Sequence, residues 1–319
     1  MTTQPTGSQL AQLSLYLTTF SAQDPGGWQK VLNRARAAED AGFDRLVVPD
    51  HVVFGEHLEE YARPELGGAA GGQQPTGPDG YWLEPLTVLS VLAGTTSRIR
   101  LGTNILIAAL RRPVVLAKTL STLDVLSNGR IDLGVGVGWQ REEYDAAGLE
   151  FDGRGRLLDH TLEVCQTLWR EQRAAFDSPL LHFENIHMMP KPLQPGGVPI
   201  WVSGTVNKNV VRRIIRFGSG WIPWGPDRVD VKTGIAKMRE ALAAGGRDPS
   251  TLDIVGLLPI VDDRNGATDL ARTMDRVPEL VAAGVTDFRV NTEIPDEPAE
   301  AADFLTALVD SFRSTRSAG

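Results

Sequence analysis

Two neighbouring residues, Asp50 and His51, are the strongest candidates for chemistry in the sequence. They directly follow the apolar run Arg-Leu-Val-Val-Pro at 45–49, where a buried strand would end. Histidine exchanges a proton near neutral pH, and an adjacent carboxylate could orient its ring. A loop histidine that only caps the next segment would look the same in the sequence. The pattern therefore predicts His51 as an acid–base group with Asp50 beside it, and it leaves the capping role open.

Two glycine-containing motifs could contact a ligand through the backbone. Gly134, Gly136 and Gly138 alternate in Leu-Gly-Val-Gly-Val-Gly-Trp, which is not the G-x-G-x-x-G spacing of dinucleotide-binding turns. Such glycines admit either a flat ligand or a closely packed neighbour. Ser203-Gly204-Thr205 precedes a helix expected to begin at Val206, where free N–H groups would attract an anion. Capping of that helix by Thr205 is the alternative. We expect a phosphate at this second motif.

Other chemistries find little support. His182 and His187 are five residues apart in irregular sequence, and His57 and His160 have no ligand-spaced partner, so no metal site is expected. No G-x-S-x-G elbow of a hydrolase occurs. The single cysteine, Cys165, excludes an internal disulfide, and its apolar neighbours predict a buried thiol rather than a nucleophile.

Charge and composition exclude further function classes. The 319 residues include 32 Lys and Arg against 40 Asp and Glu, a formal net charge of -8. A nucleic-acid partner would need a basic face to replace counterions, so none is expected. The N-terminus lacks the basic start and apolar run of a signal peptide, and no stretch of 18 uncharged apolar residues occurs. We therefore predict a cytoplasmic enzyme with no membrane partner, acting on a small molecule.

The elements that must position these residues alternate between strands and amphipathic helices. Strands are predicted at 13–18, 45–49, 99–105, 131–135, 200–202, 221–222, 254–260 and 285–290. Helices are predicted between them, among others at 84–93, 114–126, 157–169, 206–217, 231–244 and 267–282. Eight such units close a single (β/α)8 barrel, whose active sites lie at the carboxyl ends of the strands. A doubly wound open sheet is less compatible, because the first turn lacks a glycine cluster.

Two connections are longer than usual for this fold. Residues 51–82 follow strand two and are rich in Gly, Pro and Gln, and residues 171–198 precede strand five. Loops of this length commonly act as lids or binding loops. The expected organisation is a flexible N-terminus at 1–12, one barrel domain at 13–314 and a flexible C-terminus at 315–319.

Several segments together resemble the luciferase-like monooxygenase superfamily, the bacterial luciferase-like flavin- and F420-dependent oxidoreductases. They are Ala-Glu-Asp-Ala-Gly-Phe-Asp-Arg-Leu-Val-Val-Pro-Asp-His (38–51), Arg-Ile-Arg-Leu-Gly-Thr-Asn-Ile-Leu (98–106), residues 117–139 with Ser-Asn-Gly-Arg at 127–130, Pro-Lys-Pro (190–192) and Pro-Ile-Trp-Val-Ser-Gly (199–204). The resemblance covers about residues 12–290. It implies a barrel with a cofactor ring over its mouth.

The resemblance also implies roles for individual positions. Asp50 and His51 match the pair near the ring in deazaflavin members. Thr103, Asn104 and Ile105 match the strand end where the family often carries a non-prolyl cis peptide. Residues Gly136, Val137, Gly138 and Trp139 match the backbone that lines the cofactor, and Ser203, Gly204, Thr205 and Val206 match the phosphate-binding turn.

The Asp50-His51 pair resembles the deazaflavin branch more closely, so the expected cofactor is coenzyme F420, with FMN as the alternative. Trp139 stands where some deazaflavin dehydrogenases have an acidic Glu, which speaks against a sugar-phosphate dehydrogenase and leaves His51 as the acid–base group. The predicted reaction is hydride transfer between F420 and a small apolar substrate. The alternatives are an FMN-dependent monooxygenase and a non-catalytic flavin binder.

The predicted substrate lid is Phe54, Tyr61, Tyr81 and Trp82 in the loop after strand two. The resemblance to the family also implies a homodimer.

Overall fold

Eight short apolar segments form a closed parallel barrel in the computed structural model, which describes residues 10–66 and 72–316. The barrel strands are β1 (Gln12–Tyr16), β2 (Arg45–Val48), β3 (Arg100–Thr103), β4 (Ile131–Val135), β5 (Ile200–Gly204), β6 (Gly218–Pro223), β7 (Asp253–Leu257) and β8 (Asp287–Val290). Each strand pairs in parallel with its predecessor, and β8 pairs with β1 to close the ring. The predicted (β/α)8 barrel is confirmed, and the open sheet is excluded.

Helices cover the outside of the barrel. They are α1 (Gln29–Ala41), α2 (Pro85–Thr95), α3 (Pro113–Leu126), α4 (Arg141–Ala146), α5 (Arg154–Arg170), α6 (Lys208–Phe217), α7 (Pro226–Val229), α8 (Val231–Ala244), α9 (Leu270–Met274), α10 (Val277–Ala283) and α11 (Pro298–Arg316). Helix α1 ends at Gly42, whose positive φ of 94° lets its N–H bond the last carbonyls of the helix. Cys165 on α5 is fully buried, and burial raises the pKa of its thiol, as expected for a structural cysteine.

Two helix predictions need correction. Helix α6 begins at Lys208 rather than at Val206, because the Asn207 side chain accepts hydrogen bonds from the N–H groups of residues 209 and 210 and caps the helix there. The predicted helix 267–282 is divided into α9 and α10. Pro278 has no N–H to donate within a helix, so it is accommodated in the first turn of a new one.

Charged side chains fill the barrel interior. Arg45 on β2 pairs with Asp132 on β4 at 2.8 Å and with Asp287 on β8 at 3.0 Å. These strands are not neighbours in the sheet, so the side chains meet across the interior. The Arg45 guanidinium also lies 4.7 Å from the ring centroid of Trp201, which packs against Ile222. The barrel interior thus combines this paired ionic cluster with an apolar layer of Trp201, Ile222 and Val255.

Both long connections contain secondary structure. The segment after β2 holds two short 3-10 turns, Leu58–Ala62 and Pro64–Leu66, and ends in the strand Tyr81–Trp82. That strand pairs antiparallel with Phe20–Ser21 in the connection after β1, which fixes the insertion to the barrel rim. The segment before β5 forms a hairpin from Ala174–Ser178 and Leu181–Ile186.

Secondary structure extends slightly beyond the expected domain limits of 13–314. Strand β1 includes Gln12 and α11 reaches Arg316, while residues 1–9 and 317–319 of the expected flexible ends lie outside the described residues. In the part of the chain that the structure describes, no helix combines the length and apolarity needed to cross a bilayer. Nor does that part contain a group of three or more His, Cys, Asp or Glu side chains placed to hold a metal ion.

Candidate active site

The carboxyl ends of the barrel strands surround a cavity of about 670 Å³, a volume typical of small-molecule sites. Its wall includes most of the predicted site residues, namely Asp50, His51, Asn104, Ile105, Gly136, Val137, Gly138, Trp139, Ser203, Gly204 and Thr205. Tyr61 and residues 73–75 from the insertion after β2 close part of the opening. The cavity therefore lies where active sites of this fold are found.

His51 is buried at the cavity wall and is oriented by a glutamate. Its Nδ1 lies 3.0 Å from Oε2 of Glu143 on α4, and the other carboxylate oxygen accepts the N–H of Val52 at 2.8 Å. Phe54 packs against the imidazole at a centroid distance of 4.3 Å, and Phe20 meets its edge. An ionised Glu143 keeps the proton on Nδ1, which leaves Nε2 to exchange a proton with a ligand.

The predicted pairing of Asp50 with His51 is wrong. The Asp50 carboxylate binds the guanidinium of Arg111 in a bidentate ion pair and accepts the N–H of Ile107 at 2.8 Å. Its side chain is fully buried, and burial raises the pKa of the carboxyl while Arg111 acts in the opposite direction. Adjacent side chains at a strand end point in different directions, so Asp50 anchors the β3–α3 loop and does not contact the imidazole.

Glu143 is a site residue that the sequence analysis missed. It stands in the acidic cluster 142–145, which reads most simply as the exposed first turn of a helix. The structure buries Glu143 together with Tyr144, whose hydroxyl donates to the carbonyl of Val137 at 2.6 Å. Buried Trp139 and Gln140 precede them by one helical turn. Trp139 and Tyr144 are the large aromatic residues that flank the acidic cluster four and one positions from Glu143, and they were the only hint in the sequence that a glutamate of this cluster faces inward.

The end of β3 forms the floor of the cavity. The Asn104–Ile105 peptide bond is cis, as the resemblance implied. The Asn104 side-chain oxygen accepts a hydrogen bond from Arg289 on β8 at 2.7 Å, and Ile105 packs on Trp201 and Ile222. Thr103 does not line the cavity, because its hydroxyl donates to the carbonyl of Gly134 at 2.7 Å. It supports the floor rather than contacting a ligand.

The alternating glycines serve both of the roles that the sequence left open. A Cβ at Gly134 would lie 2.0 Å from the carbonyl oxygen of Thr103, so this glycine is required by strand packing. Gly136 and Gly138 line the cavity, and Gly138 has a positive φ of 69° that turns the chain toward Trp139. Trp139 is only 4% exposed and lies between His51 and Tyr61, at ring-centroid distances of 5.8 and 5.4 Å.

The predicted phosphate-binding turn requires revision at Val206. Its N–H donates to Oδ2 of the buried Asp227 at 2.6 Å, so it is not available to an anion, and α6 begins only at Lys208. Ser203, Gly204 and Thr205 do line the cavity, as do Asn207 and Arg228. An anion at this end would be bound by hydroxyl, amide and guanidinium groups and not by a helix N-terminus beginning at Val206.

Only part of the predicted lid reaches the cavity. Tyr61 lines it and packs against Trp224 at 6.2 Å. Phe54 and Trp82 form a layer behind His51, with a centroid distance of 4.7 Å between them. Tyr81 is 44% exposed on the outer side of the short strand and takes no part in the site. Burial raises the pKa of the Tyr61 phenol, so its hydroxyl stays protonated at neutral pH.

Charged groups at the cavity wall are mainly basic. Among the described lining residues these are Arg213, Arg228 and Arg289, and the one acid, Asp50, is neutralised by Arg111. The rest of the wall is apolar, aromatic or neutral polar. Arg213 is itself paired with Asp159 at 2.5 Å and Arg289 with Asp287 at 3.0 Å. Arg228 is therefore the lining cation best placed to pair with an anionic ligand in a chain of net charge -8.

These features fit a flat cofactor with an anionic tail. Gly136 keeps one wall free of a side chain, since a Cβ there would lie 2.7 Å from Cδ1 of Ile105 on the floor. The polar groups of Ser203, Thr205, Asn207 and Arg228 stand at another part of the same cavity, beside β5 and α7. The cavity at the barrel mouth thus has room for a ring cofactor, and the buried His51–Glu143 pair places a proton-exchanging group at its wall.

Comparison with known proteins identifies the family. The luciferase-like monooxygenase family model matches residues 12–276, and the chain belongs to this family. An uncharacterised protein of Mycobacterium tuberculosis is 32% identical over 271 residues, which cover 83% of this chain and 87% of the relative. An F420-dependent glucose-6-phosphate dehydrogenase of Kineococcus radiotolerans is 28% identical over 282 residues, 86% of this chain and 76% of the relative.

Solved structures share the fold at lower identity. An F420-dependent secondary alcohol dehydrogenase in complex with an F420–acetone adduct superposes with a TM-score of 0.74 at 18% identity, covering 95% of this chain and 99% of that one. A riboflavin lyase with modified FMN and riboflavin gives a TM-score of 0.73 at 16% identity, covering 96% and 92%. Proteins similar to this chain thus include both F420-dependent and flavin-containing members.

Proposed function

We propose that the protein is an F420-dependent oxidoreductase that transfers hydride between the deazaflavin and a small, largely apolar organic substrate. The observation that carries the proposal is the buried His51–Glu143 pair at the wall of a cavity large enough for a ring and a substrate. A proton donor fixed beside an apolar compartment is what hydride transfer to a polar bond requires. The F420-dependent relative at 28% identity supports the choice of cofactor.

The bound deazaflavin would supply a two-electron hydride carrier that does not react readily with oxygen. The chain's own residues handle the accompanying proton. When hydride adds to a substrate carbon, the atom bonded to that carbon gains negative charge and needs a proton. His51 gives this proton from Nε2, while Glu143 stabilises the imidazole through Nδ1. In the reverse direction His51 accepts the proton.

The alternative is an FMN-dependent monooxygenase that uses reduced flavin and oxygen. One observation favours it, which is the presence of Trp139 where some deazaflavin dehydrogenases have an acidic group. The description of the matching family as luciferase-like monooxygenases points the same way. Asn104, Ile105 and Gly136 would form the ring site in either case.

Cofactor binding separates the two functions. The purified protein is titrated separately with F420 and FMN, and cofactor fluorescence is followed. We expect F420 to bind at least tenfold more tightly than FMN, and reduced F420 to be stable to air on the protein. Tight FMN binding with oxygen uptake and no F420 binding would establish the alternative instead. If a cofactor binds but no electron donor or acceptor changes its redox state, the protein is a cofactor-binding protein without activity.

A further inference from the structure

The indole of Trp139 has a hydrogen-bond donor with no partner. Its Nε1 is buried, and no acceptor lies within hydrogen-bond distance of it among residues 10–66 and 72–316. Other buried tryptophans differ in this respect. Trp169 donates to the carbonyl of Ala117 at 3.0 Å, and Trp221 donates to that of Gly204 at 2.8 Å. A buried donor left unpaired costs about 1–3 kcal/mol, so the exception at Trp139 calls for an explanation.

The position of Trp139 suggests what its partner is. The residue lines the cavity, and its ring meets that of His51 nearly edge-on at 75°. The two rings are in contact, with centroids 5.8 Å apart, so a ligand that reaches His51 lies close to the indole. An indole N–H can only donate, so the missing partner must offer a lone pair, and in an organic ligand that atom is most simply an oxygen.

We propose that Trp139 Nε1 and His51 bind the same oxygen atom of the substrate, which makes the substrate an aldehyde or ketone, or the corresponding alcohol. This rests on the proposed hydride transfer. Trp139 is a neutral donor, so it polarises a carbonyl without needing a charged substrate, and the rings of Phe20 and Tyr61 offer an apolar surface beside it.

The reaction balances with the groups present. Hydride from the reduced cofactor adds to the carbonyl carbon, and the π electrons of the C=O bond move to oxygen. That oxygen takes one proton from His51, and the alcohol is formed as the cofactor is oxidised. Trp139 keeps its proton throughout and holds the oxygen in both directions.

Access to the indole N–H requires a small rearrangement. The nitrogen is covered by protein atoms, so an incoming oxygen must displace a neighbouring side chain. Tyr61 flanks the indole at 5.4 Å and belongs to the insertion after β2, whereas His51 is fixed by Glu143. The proposal therefore assigns this rearrangement to Tyr61.

Two probes of nearly the same shape test the assignment. Cyclohexanone and methylenecyclohexane differ mainly in the carbonyl oxygen, and each is titrated into protein loaded with whichever oxidised cofactor it binds. We expect cyclohexanone to bind about tenfold more tightly than its hydrocarbon analogue, equivalent to about 1.4 kcal/mol. The Trp139→Phe variant should lose that preference without a change in affinity for methylenecyclohexane. Trp28→Phe, a tryptophan outside the cavity, is the matched control and should retain it.

Vibrational and magnetic resonance readouts complete the experiment without relying on turnover. The C=O stretch of bound cyclohexanone should fall in frequency in the native protein and return toward its unbonded value in Trp139→Phe. In the native protein, one indole N–H resonance should move downfield on addition of cyclohexanone. This measurement needs no variant, so it tests the assignment even if Trp139→Phe fails to fold. An unshifted band and resonance, or equal affinity for the two probes, would overturn the assignment. Failure to bind F420 would instead contradict the proposed function. The same vibrational and magnetic resonance measurements on the FMN-loaded protein would then still test the contact between Trp139 and the substrate oxygen.

Discussion

At the scale of single residues, the site depends on which acid contacts His51. Two carboxylates lie near the imidazole, and each is occupied by a different partner. Asp50 is held by Arg111 and by a backbone N–H, whereas Glu143 bonds Nδ1 of His51 directly. The charge on Glu143 therefore stabilises the protonated imidazole, and the charge on Asp50 stabilises the loop that follows β3.

This assignment predicts a positioning role for Glu143. In Glu143→Gln the neutral amide keeps the size of the side chain but no longer stabilises imidazolium, so turnover should fall by about 10²-fold. The loss should appear in kcat rather than in KM, because Glu143 acts through His51 and does not itself line the cavity. Cofactor affinity should stay within about twofold, as measured by fluorescence titration.

The control for this prediction lies on the same helix. Asp145→Asn removes one exposed carboxylate from α4 without touching His51, and its kcat and KM should match those of the native protein. Equal activity of Glu143→Gln and native protein would show that the carboxylate does not act through His51. Equal losses in both variants would point to a general effect of charge near α4.

At the scale of elements, short apolar runs predicted all eight strands, although several strands carry a charged residue that faces the barrel interior, such as Asp132 in β4 and Asp287 in β8. Strand 131–135 and helix 231–244 agree with the structure to the residue. The failures occur where a side chain competes with the backbone pattern. Asn207 caps α6 two residues later than expected, and Pro278 divides one predicted helix into two. The inward turn of Glu143 depends on tertiary contacts, which local patterns do not encode uniquely.

The contact between helix α1 and the turn before β3 depends on one carboxylate, and its contribution to stability should depend on pH. Glu39 accepts the N–H groups of Ser97, Arg98 and Ile99 at 2.8, 2.6 and 2.9 Å, so it attaches α1 to the turn before β3. Partial burial alone would raise the pKa of this carboxyl, but the three backbone hydrogen bonds outweigh it and lower the pKa. The ionised form is therefore the one that stabilises the folded protein.

The sign of the effect follows from this shift. Stability from Glu39 is fully present above its unfolded pKa of about 4.3 and is lost as pH falls through the lower folded value. Glu39→Gln should lower the free energy of unfolding by about 1 kcal/mol at pH 7, a modest value because the group is partly exposed. Urea unfolding at pH 7 and pH 3.5 should show the difference shrinking at the lower pH. A difference that stays constant or grows would contradict the role of the ionised carboxylate.

At the scale of the whole molecule, charge is distributed unevenly over the surface. The net charge is -8, yet α2 carries no charged residue between Pro85 and Thr95. Its exposed positions are Thr87, Ser90, Val91 and Gly94, which are all small or apolar. Helix α3 packs beside it and exposes Val115 at 64% and Leu126 at 71%. Depletion of charge with exposed apolar side chains is characteristic of the centre of a protein interface.

The expected homodimer is best placed on this α2–α3 face, because a second copy would bring an equally uncharged α2 and the exposed apolar residues of α3 against it and keep the acidic surface of each chain in water. Sedimentation velocity should therefore give a mass close to twice the 34.6 kDa of the chain. Val115→Glu would bury two like charges near a symmetric contact and should give monomers at micromolar concentration with an unchanged circular dichroism spectrum. Val229→Glu adds the same charge at a site that is 87% exposed on α7 and should remain dimeric. A monomeric native protein would contradict the expected homodimer. A dimeric Val115→Glu variant would show that the interface lies on a face other than α2–α3.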